Sequence, residues 1–81
     1  MQITLRLSES LLSIYRSSGQ NFDETITLEL EGEPNINQIL AHVGISPLLT
    51  PLISIEGRTC GLSHSLEKDT EITLIGPLAG G

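Results

Sequence analysis

The apolar residues of this chain follow two spacings, one typical of β-strands and one typical of helices. Apolar and polar positions alternate along residues 2–7, 25–31, 52–56 and 71–75, which predicts four strands that each turn one face inward. A glycine turn then leads into residues 58–60, which we predict to form a short return strand. The positions predicted to face inward are Ile3, Leu5, Leu7, Ile26, Leu28, Leu30, Ile53, Ile55, Ile72 and Leu74.

The helix-like spacing is clearest between the second and third predicted strands. Asn35 is predicted to cap the amino end of this helix, with Gln38 as its capping-box partner, and Gly44 is predicted to end it. We expect its apolar face to pack on the inward faces of the strands. Four apolar residues fall at positions i, i+3, i+4 and i+7 and form that face: Ile36, Ile39, Leu40 and Val43.

A second group of apolar residues follows the first strand, within residues 8–20. Either Ser8 or Ser10 is placed to cap a helix there, and residues 17–19 are placed to end it. The pattern predicts a short helix or a turn-rich excursion. The apolar residues of the group are Leu11, Leu12, Ile14 and Tyr15.

The order of elements is strand, strand, helix, strand, short strand, strand. The first two strands are close enough in sequence to pair antiparallel, and the long crossover lets the last strand lie parallel to the first. We therefore predict an α+β fold of the β-grasp type, a mixed four- to five-stranded sheet with one main helix packed across it. Leu62 and Leu66, in the loop before the last strand, are further predicted core residues.

Composition narrows the range of functions. The chain has 81 residues and a formal charge of −6, with four Lys and Arg against ten Asp and Glu. Nucleic-acid binding requires clusters of Lys and Arg, so it is not expected. No apolar stretch reaches the ~18–20 residues of a membrane span, and no signal-peptide pattern opens the chain. A single cysteine, Cys60, cannot form an internal disulfide, so we predict a cytoplasmic protein with no membrane partner.

The last residues lose their side-chain bulk. Gly76 and Pro77 cannot continue the interior of a sheet. We predict one β-grasp domain at 1–76 and a flexible C-terminal diglycine tail at 77–81. A tail this thin can enter a narrow channel and carry its terminal carboxylate, on Gly81, to the active site of another protein. The predicted tail residues before it are Leu78, Ala79 and Gly80.

Two apolar side chains beside the tail have no evident place in the core. Ile75 lies on the strand face opposite the inward positions, and Leu78 follows the strand. Exposed apolar residues often mark protein interfaces. We predict a partner interface formed by Ile75, Pro77 and Leu78.

An acidic β-grasp domain that ends in Gly80-Gly81 resembles the ubiquitin-like proteins, and residues 66–81 resemble the ends of the MoaD and ThiS sulfur carriers. The excursion at residues 8–20 makes the chain more similar to MoaD, the small subunit of molybdopterin synthase, because ThiS chains pass almost directly from strand one to strand two. Thr70 stands where the family often has glycine, and the aromatic-rich pattern common in MoaD after strand one is absent.

The resemblance implies a function. An E1-like enzyme of the MoeB/ThiF type would use ATP to adenylate the carboxylate of Gly81, and sulfur would then be installed as a thiocarboxylate. The acceptor would be the large subunit of molybdopterin synthase or, for a ThiS-type carrier, thiazole synthase. No cofactor would be bound stably, and the chemistry would take place on the partners.

The sequence is also compatible with other functions. The same tail could conjugate the protein to a lysine amine as a ubiquitin-like modifier, or the domain could be a binding module whose diglycine is incidental. Cys60 is interpreted as a small structural residue rather than a nucleophile. His42 and His64 are too isolated to predict a metal site. We interpret the alternating residues Glu29, Glu31 and Glu33 as a solvated strand face. No catalytic constellation is visible in the sequence, so a free-standing enzyme is not expected.

Overall fold

The structure is a computed structural model that describes residues 1–50 and 52–77. Those residues form five strands, two α-helices and one 3-10 turn. In chain order these are β1 (Gln2–Leu7), α1 (Glu9–Ser17), β2 (Thr25–Glu29), α2 (Ile36–Val43), the 3-10 turn (Pro47–Leu49), β3 (Leu52–Ile55), β4 (Arg58–Thr59) and β5 (Thr70–Ile75).

The five strands form one mixed sheet in the order β2-β1-β5-β3-β4. β1 pairs antiparallel with β2 and parallel with β5, while β3 pairs antiparallel with both β5 and β4. In this register Leu5 lies opposite Ile26 on one side and opposite Ile72 on the other. The predicted inward residues therefore line up on a single face of the sheet, which confirms the predicted pairing of the last strand with the first.

Both helices cover that face. Their buried side chains belong to the same apolar cluster as the inward residues of β1, β3 and β5. Neither helix covers the opposite face of the sheet, which we call the open face. The predicted excursion after β1 is thus a helix, α1, and its Tyr15 hydroxyl accepts a hydrogen bond from the Ser46 N–H at 2.8 Å. The buried apolar residues are Ile3, Leu5, Leu7, Leu11, Leu12, Tyr15, Ile36, Ile39, Leu40, Ile45, Ile53, Leu66, Ile72 and Leu74.

Helix α2 begins and ends where its local sequence predicts. The Asn35 side chain accepts a hydrogen bond from the Gln38 N–H at 2.8 Å, and the Gln38 side chain accepts one from the Asn35 N–H at 2.9 Å. This reciprocal pair satisfies two backbone donors that a helix start otherwise leaves unpaired. Gly44 ends the helix with φ of 83°, a left-handed conformation that a residue without Cβ adopts at low cost.

Some predicted boundaries and one core residue were wrong. Leu62 is 37% exposed, whereas Leu66 is buried as predicted. The carbonyl of Leu62 accepts a hydrogen bond from the Asn37 N–H, and its side chain stays at the surface of the loop. β2 ends at Glu29 rather than at residue 31, and β3 ends at Ile55. β3 stops there because Glu56 and Gly57 turn the chain with φ of 52° and 77°.

The capping box of α2 gives a first prediction. Asn35→Ala removes the acceptor for the Gln38 N–H, and we expect the free energy of unfolding to fall by about 1 kcal/mol, the usual cost of losing an N-cap. Asn37→Ala, an exposed position inside the same helix, is the control and is expected to stay within about 0.5 kcal/mol of the parent. Urea denaturation followed by circular dichroism measures both. Equal losses for the two variants would contradict the assigned cap.

Candidate functional site

The structure describes part of the predicted site. Ile75 is the last residue of β5 and is partly buried, and Pro77 is exposed. The predicted tail residues Leu78, Ala79, Gly80 and Gly81 lie outside the described residues. The geometry of the site is therefore that of the point where the chain leaves the sheet, at 75–77.

The strand that leads to this point is fixed by the core. β5 is the middle strand of the sheet, paired with β1 on one side and β3 on the other. Its Ile72 and Leu74 side chains are fully buried. Because a strand held on both edges and on one face cannot move independently, the base of the predicted tail is fixed relative to the whole domain.

Ser8 extends the pairing of β5 beyond the end of β1. The register sets Leu7 opposite Leu74. In a parallel ladder the next bonds would join the Ser8 N–H to the Leu74 carbonyl and the Gly76 N–H to the Ser8 carbonyl. The first of these bonds is present at 2.9 Å, but the Ser8 carbonyl already accepts the Leu12 N–H as helix α1 begins. The Ser8 Oγ takes the place of that carbonyl and accepts the Gly76 N–H at 3.0 Å.

The Ser8 hydroxyl uses all of its hydrogen-bonding capacity. Its oxygen also accepts the Leu11 N–H at 3.3 Å, which makes it the N-cap of α1. A hydroxyl oxygen has two lone pairs and one proton. With both lone pairs engaged, the proton is left to donate to the Ser10 Oγ, 3.1 Å away. One side chain thus ties the start of α1 to the end of β5.

Gly76 is buried in a space that admits no side chain. A Cβ built on it would lie 2.9 Å from the backbone nitrogen of Leu11 and 3.0 Å from its Cα. Leu11 is itself fully buried in the first turn of α1. The φ angle of Gly76 lies outside the left-handed region. The requirement for glycine here is therefore steric, a consequence of how closely α1 approaches the end of the sheet.

On the open face of the sheet, an apolar patch adjoins this exit. Ile75 lies directly opposite Leu52 of β3, which is 45% exposed. Side chains directly opposite each other on antiparallel strands are in contact range. We call Leu52, Ile75 and Pro77 the exit patch. Ile75 and Pro77 were predicted from the sequence as interface residues, whereas Leu52 was missed, although strand alternation sets Leu52 on the face opposite Ile53.

The remainder of the open face is polar. Thr4, Arg6 and Thr73 lie on it, and the Arg6 guanidinium contacts the Glu71 carboxylate at 3.1 Å. Both side chains of that ion pair are more than half exposed, so it contributes little to stability. The apolar character of this face is thus concentrated at the end where the chain leaves the sheet.

Other candidate residues do not come together. His42 and His64 are exposed, and Cys60 is partly exposed with its Sγ 3.7 Å from the Arg58 carbonyl. Glu31 and Glu33 line an open surface depression beside α2. Among residues 1–50 and 52–77, no group of three or more His, Cys, Asp or Glu side chains could hold a metal ion. No helix in the same residues is long and apolar enough to cross a membrane.

Comparison with solved structures identifies the fold. The crystal structure of SAMP1 from Haloferax volcanii superposes with a TM-score of 0.71, at 15% identity and with 100% of both chains covered. The chain has the β-grasp fold. A structure of H. volcanii small archaeal modifier protein 1 gives a TM-score of 0.65, also at 15% identity, covering 95% of this chain and 98% of the other. No protein-family model and no curated protein match the sequence.

The packing of Gly76 predicts a loss of stability on adding one methyl group. Gly76→Ala forces the Leu11 backbone to shift, and we expect the free energy of unfolding to fall by about 1–3 kcal/mol, as in other overpacked sites. Gly61→Ala is the matched control, because a Cβ there meets nothing within 4 Å and the residue has no positive φ. Chemical denaturation of both variants is the measurement. A Gly76→Ala protein as stable as Gly61→Ala would refute the close packing.

The exit patch predicts a docking surface. Ile75→Asp places a charge in its centre. For the E1-like partner that the sequence resemblance implies, we expect the affinity to fall about tenfold or more, since central apolar residues dominate interfaces. Thr27→Asp adds the same charge to the same face of the sheet on the edge strand β2, and is expected to leave the affinity nearly unchanged. Isothermal titration calorimetry measures both. Equal affinities for Ile75→Asp and the parent would remove the patch from the interface.

Proposed function

We propose that this β-grasp protein is a carrier whose Gly81 carboxylate is activated by an E1-like enzyme with ATP. One observation carries the proposal. The central, core-anchored strand β5 brings the chain out at Gly76 and Pro77, at the exit patch and directly before the Leu-Ala-Gly-Gly sequence. A partner docked on the patch can then receive the thin end of the chain in its active site.

The proposed chemistry uses little from the carrier itself. A carboxylate is a poor electrophile until its oxygen becomes part of a good leaving group. A Gly81 carboxylate oxygen attacks the α-phosphorus of ATP, pyrophosphate leaves, and an acyl adenylate forms. A sulfur nucleophile at the level of hydrosulfide then attacks the acyl carbon, AMP leaves, and a thiocarboxylate results. ATP is a substrate of the partner, and the carrier holds no cofactor stably.

The absence of side chains at the end of the chain supports the same proposal. Glycine at positions 80 and 81 lets a backbone approach a catalytic centre that a Cβ would block. Leu78 and Ala79 give the partner two side chains to recognise before that point. The body of the domain supplies affinity, while the end of the chain supplies the reactive group.

The acceptor we propose first is the large subunit of molybdopterin synthase, with this chain as the small subunit. Support comes from the resemblance of residues 66–81 to MoaD and from the segment between β1 and β2, which holds the helix α1. Thiazole synthase, the acceptor of ThiS-type carriers, is the alternative acceptor. A cytoplasmic location remains part of the proposal.

A ubiquitin-like protein modifier is the second candidate function. It is favoured by the solved structure described as small archaeal modifier protein 1, which has the same fold over nearly its whole length. The activation step is identical, and the two functions diverge only when a lysine amine rather than sulfur attacks the activated carbonyl. An isopeptide-linked protein is then the product in place of a thiocarboxylate.

Intact mass spectrometry tests the carrier. The protein is incubated with an E1-like partner, ATP and a sulfur donor, and we expect a species heavier by the exchange of one oxygen for one sulfur. The variant lacking Gly81 is the control and is expected to show no such species. Unmodified protein under these conditions would exclude sulfur carriage.

The modifier leaves a different product. The sequence has no Lys or Arg after Lys68, so trypsin would leave residues 69–81 attached to the target lysine as a branched peptide. Finding that branch in cells would favour the modifier, and a Gly81 deletion is expected to abolish it. If the deletion left all partner binding and function intact, both activated-carboxylate functions would fall and a plain binding module would remain.

A further inference from the structure

We propose that Ser8 and Gly76 act as positioning residues that aim the C-terminal tail into the active site of the activating enzyme. This inference rests on the proposed function. Ser8 and Gly76 lie at the point where the chain leaves the sheet, between the domain and the reactive Gly81. We call the Ser8–Gly76 hydrogen bond and the packing of Gly76 on Leu11 the exit clamp.

The clamp extends the fixed part of the chain by one residue. On the β3 side, the described pairing of β5 ends at Ile75 opposite Leu52. On the β1 side, the Ser8 Oγ bond at 3.0 Å holds the Gly76 N–H as the next rung of the ladder. The last fixed residue is therefore Gly76 and not Ile75.

The clamp also sets a direction. Leu11 closes one side of Gly76, with its backbone nitrogen only 2.9 Å from the position of a Cβ. Pro77 follows directly, and the proline ring disfavours helical backbone conformations in the residue before it. The chain is thus held by a hydrogen bond, by a steric wall and by the proline ring at one point, and it leaves the domain along one path.

Core stability does not require this arrangement. β5 is already held by β1, by β3 and by the burial of Ile72 and Leu74. The Gly76 N–H is the first donor beyond those contacts. Its pairing with a side chain that is also the N-cap of α1 fixes the tail to the body of the domain.

The fixed position of Gly76 limits how far the Gly81 carboxylate can reach. Gly81 lies five positions after Gly76 along the chain, and a fully extended chain spans about 17 Å over that length. With so short a tether, the direction in which it starts decides where the Gly81 carboxylate arrives. Misplacement of a reacting group by about 1 Å can cost up to about a hundredfold in rate.

Loss of the clamp changes both the length and the starting direction of the tail, and these two changes lower the rate by different amounts. Loss of the clamp moves the last fixed residue back by one, so that six residues rather than five follow it. Effective concentration falls roughly as the −3/2 power of tether length, so by about 1.3-fold. A larger loss of rate therefore reports direction. We expect loss of the clamp to lower the rate about threefold or more, between the length estimate and the full cost of misplacement.

The experiment uses the full-length protein with an E1-like partner and follows ATP–pyrophosphate exchange. Ser8→Gly removes the Oγ acceptor, while glycine still serves as an N-cap at little cost. Asn35→Gly makes the matched substitution at the N-cap of α2, where the Asn35 side chain bonds to the Gln38 N–H. Insertion of one glycine between Pro77 and Leu78 lengthens the tail by one residue and leaves the clamp intact.

We expect Ser8→Gly to lower kcat threefold or more with KM for the carrier unchanged, because the exit patch is untouched. Asn35→Gly is expected to retain the parent kcat and KM, and the glycine insertion to lose less than twofold in kcat. Amide hydrogen exchange gives an independent measure, with the Gly76 N–H protected in the parent and exposed in Ser8→Gly.

Three results would overturn the clamp. These are a parent-like kcat for Ser8→Gly, an equal fall in kcat for Asn35→Gly or for the insertion, and rapid exchange of the Gly76 N–H in the parent. Failure of the proposed function has a different signature, since the parent protein itself would then support no ATP–pyrophosphate exchange.

Discussion

The parallel pairing of β1 with β5 is the interaction on which the rest of the structure depends. It joins the first and last strands at the centre of the sheet and places Leu5 and Ile72 side by side in the core. Parallel strands cannot be joined by a tight turn, so the intervening chain must cross over. Helix α2 makes that crossover and covers the apolar face in doing so. The remaining strands add to the two edges of this pair.

The same pairing explains why the exit of the chain is so tightly defined. β1 ends where α1 begins, so the backbone carbonyl that would continue the ladder turns away into the helix. Ser8 supplies its side-chain oxygen instead, and the first turn of α1 packs against Gly76. A small domain has little core to spare. Here one hydroxyl serves the helix start, the strand end and the route of the chain beyond it.

The two faces of the sheet differ in composition and in what covers them. One face is closed by both helices and holds the core. The other is polar along most of its length and apolar only where Leu52 and Ile75 meet beside Pro77. The described residues therefore offer an apolar surface patch at the point where the chain leaves the sheet. This division fits a protein whose reactive group is used on a partner.

Local sequence determined much of this molecule: the alternation of β1 and β5, the capping box at Asn35 and Gln38, and the glycine end of α2. Each depends on residues within a few positions of one another, which is why spacing alone predicted them. Contacts between distant residues were decided only by the tertiary structure. Leu62 and Leu66 look alike in sequence, yet only Leu66 reaches the core. Leu52 joins Ile75 because β3 pairs with β5, and Ser8 reaches Gly76 across 68 positions because β1 and β5 lie side by side. Strand pairing creates such contacts, and no local pattern records which strands will pair.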